Sequence, residues 1–494
     1  MTGGAAGGVT GGATGTAPGG PVPLPMPKFA AAARPALADT GLRRSLRGAT
    51  ARLRGRAAAA AAEPADWEDL REAGRAIGEE ALLNLDVHLE DLERAVTEAG
   101  GTVHWAADAA EARRVVTGLV RASGAGEVLK AASLTLREIG LDRALARAGV
   151  AVQETALGDL AVRLGEDEPS HPLSPAAHRD RAQVAELFRR GMPAAGADLP
   201  DDPEALAGAA RAHLRDRFLR ARVAVTGANF LVAETGTAVV VESEGNARMC
   251  LTLPETLICV AGIDKVVPTW DDMEVFLQLL PRSSTGDRMT PYVSSWTGVT
   301  PGDGPRAFHL VLLDNGRTRA LADEVGRAAL RCVGCSACLN VCPVYERTGG
   351  RPYGPVHQGP IGAILTPQLR GVESAAMASL PYASTLCGAC ADVCPVKIDI
   401  PDVLVHLRGL VVDSRRRRPV PPPEMVLMRG LAWTMGDPRR HEAVLRRGTR
   451  WARLLSRGGR IRRLPGLLGA WTEARDLPAP PAESFRAWWD RTRA

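Results

Sequence analysis

Seven of the nine cysteines lie between Cys332 and Cys394, and their spacing is the feature of the chain best suited to chemistry. The first run, Cys332-Val-Gly-Cys335-Ser-Ala-Cys338-Leu-Asn-Val-Cys342-Pro343, fits C-x2-C-x2-C-x3-C-P. Three thiolates spaced in this way can hold three irons of one cubane, and the fourth cysteine of the pattern serves a second cluster. The spacing therefore predicts iron–sulfur clusters and one-electron redox chemistry.

The second run, Cys387-Gly-Ala-Cys390-Ala-Asp-Val-Cys394-Pro395, equals the last three cysteines of the same pattern. In this pattern the final cysteine of each run binds the cluster of the other run, and this rule predicts the ligands of each cluster. Cluster one takes Cys332, Cys335, Cys338 and Cys394, and cluster two takes Cys342, Cys387 and Cys390.

Cluster two lacks a fourth cysteine, because position 384 is occupied by Ser384. It is either a three-iron cluster or a four-iron cluster whose last iron takes Ser384, water, substrate or a partner residue. We hypothesise the open-iron form, so that two [4Fe-4S] clusters are the predicted cofactors. Structural zinc is the alternative, although zinc sites favour two C-x2-C pairs or mixed Cys/His ligands. Cys250 and Cys259 stand apart and are expected to be packed core residues.

Polar residues upstream of the cysteines are candidates for substrate binding. Glu234, Thr235 and Thr237 lie in the segment TGANFLVAETGT, between two apolar runs that predict strands. They could line a small-acid pocket where strands end, since open α/β sheets bind ligands there, but simple turn residues are the favoured alternative. Thr285 in RSSTG could bind an anion or lie in a surface loop, and Lys130 is a further candidate. No dinucleotide or phosphate-loop motif supports NAD or ATP.

Short apolar segments that alternate with helical ones predict an α/β domain with a mostly parallel sheet over residues 65–318. The predicted strands include 103–106, 150–152, 160–164, 223–225, 230–233, 237–241, 257–261 and 308–313, and helices are predicted at 67–99, 109–122, 319–331 and 400–411. Thr269 and Asp272 predict a capping box at the start of one helix.

Five regions follow from these patterns. They are a disordered Gly/Ala/Pro-rich tail (1–28), a helical N-terminal arm (29–64), the α/β domain (65–318), a two-cluster module (319–412) and a mostly helical C-terminal region (413–494).

Charge is uneven along the 494 residues, whose net charge is +5. From Arg415 onward there are 19 Arg, no Lys and seven acids, an excess of +12. This region could contact an acidic partner or, peripherally, an anionic membrane, or could simply be a solvated face; nucleic acid is not expected. No apolar run is long enough to span a membrane and no secretory signal is evident, which predicts a cytoplasmic protein.

The order of these motifs resembles that of a known family. An α/β domain with TGANFLVAETGT, ESEGN and RSSTGD, followed by CVGCSACLNVCPVY and CGACADVCPVKIDIP, is similar to the lactate-utilization protein B family. The resemblance implies a LUD domain, with a sheet like that of sugar-phosphate isomerases and CoA-transferases. It further implies an α-helical ferredoxin-like module, a family-specific C-terminal domain and the cluster ligands given above.

The resemblance also implies a function. The family works with two companions, a cysteine-rich protein and a second LUD protein, in oxidising L-lactate to pyruvate during growth on lactate. The first hypothesis is therefore a redox subunit of a lactate-oxidising complex. A relay and assembly scaffold without a substrate site is the second, and an iron–sulfur subunit for glycolate or another 2-hydroxy acid is the third.

Overall fold

The structure, a computed structural model, describes residues 26–192, 195–417, 423–466, 469–473 and 475–493. The predicted disordered tail lies outside these ranges except for its last three residues. The chain forms two compact units, divided after Val411.

The strands make three sheets. They are β1 (Thr102–Ala106), β2 (Glu127–Lys130), β3 (Ala151–Glu154), β4 (Val223–Thr226), β5 (Phe230–Val232), β6 (Thr237–Glu242), β7 (Thr256–Gly262), β8 (Val266–Val267), β9 (Tyr292–Trp296), β10 (Ala307–Leu313), β11 (Arg460–Ile461) and β12 (Leu477–Pro478).

The first unit contains eighteen helices among its described residues, the last of which continues past Val411. They are α1 (Phe29–Ala38), α2 (Thr40–Ala61), α3 (Trp67–Leu83), α4 (Leu85–Glu98), α5 (Ala109–Ala122), α6 (Leu134–Glu138), α7 (Leu141–Arg147), α8 (Leu157–Leu164), α9 (Arg181–Gly191), α10 (Pro203–Arg220), α11 (Asn246–Thr252), α12 (Trp270–Ser284), α13 (Arg317–Leu321), α14 (Ala337–Asn340), α15 (Tyr345–Thr348), α16 (Gly359–Arg370), α17 (Ala389–Asp392) and α18 (Ile400–Arg416). The second unit adds α19 (Pro423–Met435), α20 (Pro438–Leu454), α21 (Gly469–Thr472) and α22 (Phe485–Arg493).

The main sheet has six parallel strands in the order β1-β10-β7-β4-β2-β3. Because successive side chains of a strand point to opposite faces, β7 places Leu257 and Cys259 on one face and Ile258 and Val260 on the other. All four side chains are fully buried in two separate hydrophobic clusters. The parallel sheet is therefore covered on both faces, which explains why its strands are almost continuously apolar. This arrangement confirms the predicted α/β class.

A second sheet of four strands, β8-β5-β6-β9, was not predicted as a separate layer. β6 pairs antiparallel with both β5 and β9, and β5 pairs parallel with β8. The segment that joins β5 and β6 contains Glu234 to Gly236, and Gly236 has a left-handed backbone with φ of 69°. The tight turn is the reason that this segment folds back instead of crossing to the parallel sheet.

The helix predicted over 67–99 is divided at Asn84 into α3 and α4. Two further predicted elements are wrong. Residues 160–164 belong to helix α8, in which Leu160, Ala161 and Val162 are all buried; a short apolar run has no periodicity that distinguishes helix from strand. The helix predicted over 319–331 ends early. The Asp323 side chain accepts N–H hydrogen bonds from Val325 and Gly326, and only a 3-10 helix, Gly326–Arg331, follows.

One of the hydrophobic clusters of the first unit joins the cysteine module to neighbouring elements. Leu46 from α2, Phe230 from β5 and Phe276 from α12 share a buried cluster with Leu339 and Leu404 of the module. The capping box of α12 is present as predicted, with Thr269 and Asp272 bonding each other's backbone N–H. The N-terminal arm and the second sheet therefore form walls of the cysteine module.

The second unit has little core of its own. The described residues of α19, α20 and α22 include none that is buried. Within the described ranges, no helix combines the length and the apolar character needed to cross a membrane.

Candidate iron–sulfur centre

The two cysteine runs fold as a structural repeat. Cys335 lies between Gly334 and Ser336, which both have left-handed backbones, and Cys387 likewise lies between the left-handed Leu386 and Gly388. Each loop is followed by a four-residue helix, α14 or α17, that carries the next cysteine. Left-handed non-glycine residues are strained and persist where the surrounding structure requires them, commonly at functional sites.

The first group of cysteines surrounds a cavity. Cys332, Cys335, Cys338 and Cys394 line about 600 Å³ of empty space, part of it open to solvent, whose other walls include Val333. Burial raises the pKa of Cys335 and of Cys338, and the charges of the neighbouring cysteines add to this increase.

The second group contains Cys342, Cys387 and Cys390. Burial raises the pKa of Cys390 to about 12, and the charges of Cys342 and Cys387 add to that increase. Cys387 is exposed, unlike its counterpart Cys335. The four cysteines of the first group therefore share one cavity, and Cys387 brings the second group to the surface. The assignment of ligands to each cluster stays a prediction.

The donor set fits iron–sulfur clusters. All seven thiols are free, and three of their sulfurs accept backbone N–H bonds: Gly334 to Cys332 at 3.4 Å, Tyr345 to Cys342 at 3.5 Å and Ile398 to Cys394 at 3.3 Å. Such N–H contacts tune the potential of a cluster. Among the described residues, no three His, Cys, Asp or Glu side chains converge tightly enough to hold a single ion. A cubane separates its cysteine ligands more widely than a single ion does, and the four cysteines of the first group line one cavity.

Ser384 occupies the place in the second loop that Cys332 holds in the first. The Cys332 sulfur accepts the N–H of Gly334, two residues later, and the Ser384 Oγ accepts the N–H of Leu386, also two residues later, at 3.1 Å. The hydroxyl therefore lies on the same side of its loop as the cysteine sulfur that it replaces.

Two cations from distant elements contact the first group. Arg71 of α3 donates to the carbonyl oxygen of Cys394, from Nε at 3.1 Å and Nη2 at 2.9 Å. Lys265, which follows β7, donates from Nζ to the carbonyl oxygen of Cys332 at 2.8 Å. The carboxyl end of the parallel sheet therefore meets the first cysteine group, a relationship that the sequence analysis missed.

A buried charge cluster at this edge was also missed. Arg317 donates to both oxygens of Glu138, at 2.9 and 3.0 Å, and pairs with Asp264. Asn315 donates to Glu138 at 2.7 Å. Burial alone would raise the pKa of Glu138, but Arg317 and His357 hold it well below its usual value. The only sequence signal was the position of these residues just beyond predicted strands.

Lys130 lies at the carboxyl end of β2, where a ligand contact was predicted, but it is already paired. Its Nζ contacts Asp142 at 2.7 Å and Glu154 at 2.6 Å, and its side chain is 4% exposed. Burial raises the pKa of Glu154 to about 7, although the Lys130 ammonium acts in the opposite direction. A substrate role for Lys130 stays a prediction, and any ligand there would have to compete with two carboxylates.

Glu234, Thr235 and Thr237 lie together at the β5–β6 turn. The Glu234 carboxylate accepts the N–H of Trp270 at 3.2 Å, and the Thr235 hydroxyl accepts the indole N–H of Trp270 at 3.1 Å. Thr235 and Thr237 share a hydrogen bond of 2.8 Å. These contacts hold the start of α12 against the second sheet, away from the carboxyl edge of the parallel sheet.

Thr285 lies at the other end of α12 and bonds Asp287 at 2.6 Å. The 15-residue helix separates it from Trp270 by about 22 Å. The structure therefore does not bring the predicted substrate residues together into one site, and their binding role stays a prediction.

Comparison with protein-family models matches three parts of the chain. A LUD domain model matches residues 89–312, and a 4Fe-4S dicluster domain model matches residues 328–398, which include all seven clustered cysteines. A model described as lactate utilisation protein B, C-terminal, matches residues 416–494. The cysteine module is therefore an iron–sulfur domain.

Similar curated proteins cover nearly the whole chain. Lactate utilization protein B of Oceanobacillus iheyensis is 40% identical over 453 residues, 91% of this chain and 93% of that protein. The proteins of the same name from Macrococcus caseolyticus and Bacillus licheniformis are 40% and 37% identical, over 93% and 94% of this chain and 96% and 97% of their own lengths.

A solved structure, of a DUF162 family protein from Deinococcus radiodurans, covers 46% of this chain and 98% of its own. Its identity is 15% and its TM-score 0.27, a likeness too low to support an argument.

Proposed function

Because the chain belongs to the lactate utilization protein B family, we propose that it is the iron–sulfur electron-transfer component of a complex that oxidises L-lactate to pyruvate. The names of the relatives support a part in lactate utilization, and the dicluster domain supports iron–sulfur chemistry. The proposed activity would allow growth on lactate.

The observation that carries the proposal is the arrangement of the two cysteine groups. Helix α14 bears Cys338 of the first group, and the chain reaches Cys342 of the second group four residues later. The first group is buried against the sheet, whereas Cys387 brings the second group to the surface. One short segment therefore connects an interior site with a site that a redox partner can approach.

We assign cluster one to Cys332, Cys335, Cys338 and Cys394, and cluster two to Cys342, Cys387 and Cys390. Two [4Fe-4S] clusters, when bound, would supply two one-electron carriers. Ser384 is the residue of this chain best placed to complete the second set, because its Oγ lies where the repeat places a cysteine sulfur.

Companion proteins of the complex are the proposed partners of the C-terminal unit. Among the described residues, fifteen large apolar side chains between Val426 and Trp489 are exposed, including Trp433, Trp451 and Trp488. The excess of +12 charges from Arg415 onward favours an acidic protein surface. Aromatic residues interleaved with Arg are typical of protein interfaces, and a peripheral contact with anionic membrane is the competing occupant.

The test uses the full chain isolated anaerobically with its companions. L-lactate, D-lactate and glycolate are added separately, cluster reduction is followed by EPR, and the 2-oxo acid is measured by a coupled assay. We expect L-lactate to give pyruvate and reduced clusters. Replacement of the clustered Cys387 by serine should abolish both signals, whereas the same change at the buried core residue Cys250 should retain them.

The outcomes separate the alternatives. Reduction by glycolate in preference to lactate would assign the protein to another 2-hydroxy acid. Pyruvate formation that continues without Cys387 would contradict the electron-transfer role.

A further inference from the structure

A second cavity adjoins the cavity of the first cysteine group, and Val356 and His357 line both. It encloses about 350 Å³ of empty space, part of it open to solvent. We name it the edge pocket, because Glu138 and Asn315 at the carboxyl edge of the sheet form one wall. The iron–sulfur module forms the other, with Tyr353, His357, Thr366 and Arg370.

The edge pocket contains polar atoms that lack partners. Thr366 is 8% exposed, and its buried Oγ1 makes no hydrogen bond within the described part of the chain. The same holds for Nε2 of His357, which faces the Glu138 carboxylate at 3.5 Å, too long for a good hydrogen bond. Buried polar groups are nearly always hydrogen-bonded, so these atoms require a polar partner, either water or a bound ligand.

The charge of the pocket suits a small monoanion. The Glu138 carboxylate is occupied by Arg317 and Asn315. Within the described part of the chain, the partly exposed Arg370 has no carboxylate within 4 Å, and its guanidinium makes no hydrogen bond. An arginine without a carboxylate partner at a pocket wall is a natural site for a ligand carboxylate.

The pocket also adjoins the first cysteine group. His357 lines both this pocket and the cavity of that group. A molecule in the pocket would therefore lie close to the first set of thiols.

We propose that the edge pocket binds the small 2-hydroxy monocarboxylate on which the complex acts. Arg370 holds its carboxylate, Thr366 provides a further hydrogen bond, and the Nε2–H of His357, which faces Glu138, donates to its hydroxyl oxygen. This assignment rests on the proposed function, and it locates the substrate on this chain rather than on a companion.

Equilibrium dialysis of radiolabelled L-lactate against the anaerobically purified, iron-loaded full chain tests the assignment. We expect Arg370→Gln to weaken binding at least about tenfold, because a charged hydrogen-bonded contact is lost. Thr366→Val, which retains the shape of the side chain, should weaken it several-fold. Arg347→Gln is the matched control, since Arg347 is an exposed arginine of the same module. Iron content of each variant reports whether the module has folded.

Tighter binding of L-lactate than of propionate, which lacks the hydroxyl, would support the His357 contact, and equal binding would overturn it. If the wild-type chain binds no lactate, or if Arg370→Gln binds it as the wild type does, the pocket assignment fails. Lactate-dependent cluster reduction in the assembled complex would then still support the proposed function, with the substrate site on a companion.

Discussion

Arg71 donates two hydrogen bonds to the backbone carbonyl of Cys394, although the two residues are 323 positions apart. The guanidinium also donates to the carbonyl of Asp392 at 2.8 Å. Burial raises the pKa of Cys394, and Arg71 acts against this increase. A cation of the N-terminal helices is therefore fixed beside the first cysteine group.

Replacement of Arg71 by glutamine should make the reduction potential of cluster one more negative. A positive charge stabilises the electron that the cluster accepts. The Arg71 side chain is 11% exposed, so its charge is screened only in part by solvent and by its ion pair with Glu68. EPR-monitored redox titration measures the potential. Arg75→Gln on the same helix is the control, because Arg75 pairs with Glu72 and Glu79 near the surface. Equal potentials in the wild type and the Arg71 variant would contradict the prediction.

Replacement of Cys394 by alanine should lower the iron content, whereas the same replacement at Cys250 should leave it unchanged. Cys394 belongs to the first group, so its loss should reduce iron from about eight to about four atoms per chain. Cys250 is fully buried, and burial raises its pKa to about 12, which keeps it a neutral core thiol. Its replacement should leave the iron content unchanged. Iron and acid-labile sulfide analysis of anaerobic protein provides the measurement, and zinc in place of iron would refute the cluster assignment.

The local features of the module could be predicted from the sequence, whereas its surroundings could not. The grouping of Cys338 with Cys332 follows from spacing within one loop, and helix α5 spans residues 109–122 as predicted. Arg71 contacts a cysteine carbonyl 323 residues later in the chain, and Lys265 contacts one 67 residues later. No periodicity encodes such contacts, because they depend on how the layers pack.

The predicted substrate residues illustrate the same limit. Glu234 is a candidate for substrate binding because it lies between two predicted strands, and both strands are present. These strands belong to the second sheet, however, and sheet membership depends on pairing with distant strands rather than on local composition. Glu138 and Arg317, which do meet at the carboxyl edge of the parallel sheet, come from helices after β2 and β10 and carried no motif.

Cysteine at position 384 should complete the ligand set of cluster two. In Ser384→Cys the new sulfur would take the position equivalent to Cys332, and Mössbauer spectra should lose the signal of a distinct, non-cysteine-ligated iron. Ser384→Ala should lower the iron content by about one atom per chain, as the cluster converts to a three-iron form. Thr385→Ala, at the adjacent exposed residue, should change neither measurement. A wild-type protein with a stable seven-iron content would contradict the open-iron hypothesis.

The exposed aromatic residues of the C-terminal unit should be needed for assembly. Serine at both Trp488 and Trp489, which are 43% and 38% exposed, should weaken retention of the companions on an affinity column at least about tenfold. Iron content should stay constant, since these residues lie outside the cysteine module. Retention should also fall as salt increases, because the surface is rich in Arg. Unchanged retention, with loss of binding to anionic vesicles instead, would identify a membrane surface as the occupant.

His171 should make the fold sensitive to mild acid. The imidazole is 3% exposed; its Nδ1 accepts the N–H groups of Leu173 and Ser174, and its Nε2 faces Asn340. Burial lowers the pKa of His171 to about 4, and the contact with Asn340 opposes this only in part. The folded state therefore excludes a proton that the unfolded chain binds below a pKa of about 6.5. The stability is fully present above that pH and is lost as the pH falls toward 4.

Between pH 7 and pH 5 this group alone should reduce the free energy of unfolding by about 2 kcal/mol. His171→Asn retains an acceptor but does not titrate. The variant should therefore be less stable than the wild type at pH 7 and should lose less stability on acidification. Anaerobic urea unfolding followed by circular dichroism at both pH values measures the difference. His88→Gln is the control, because the His88 imidazole contacts Glu80 at the surface, and it should keep the wild-type pH dependence. Parallel pH profiles for the wild type and His171→Asn would show that the buried imidazole does not determine acid stability.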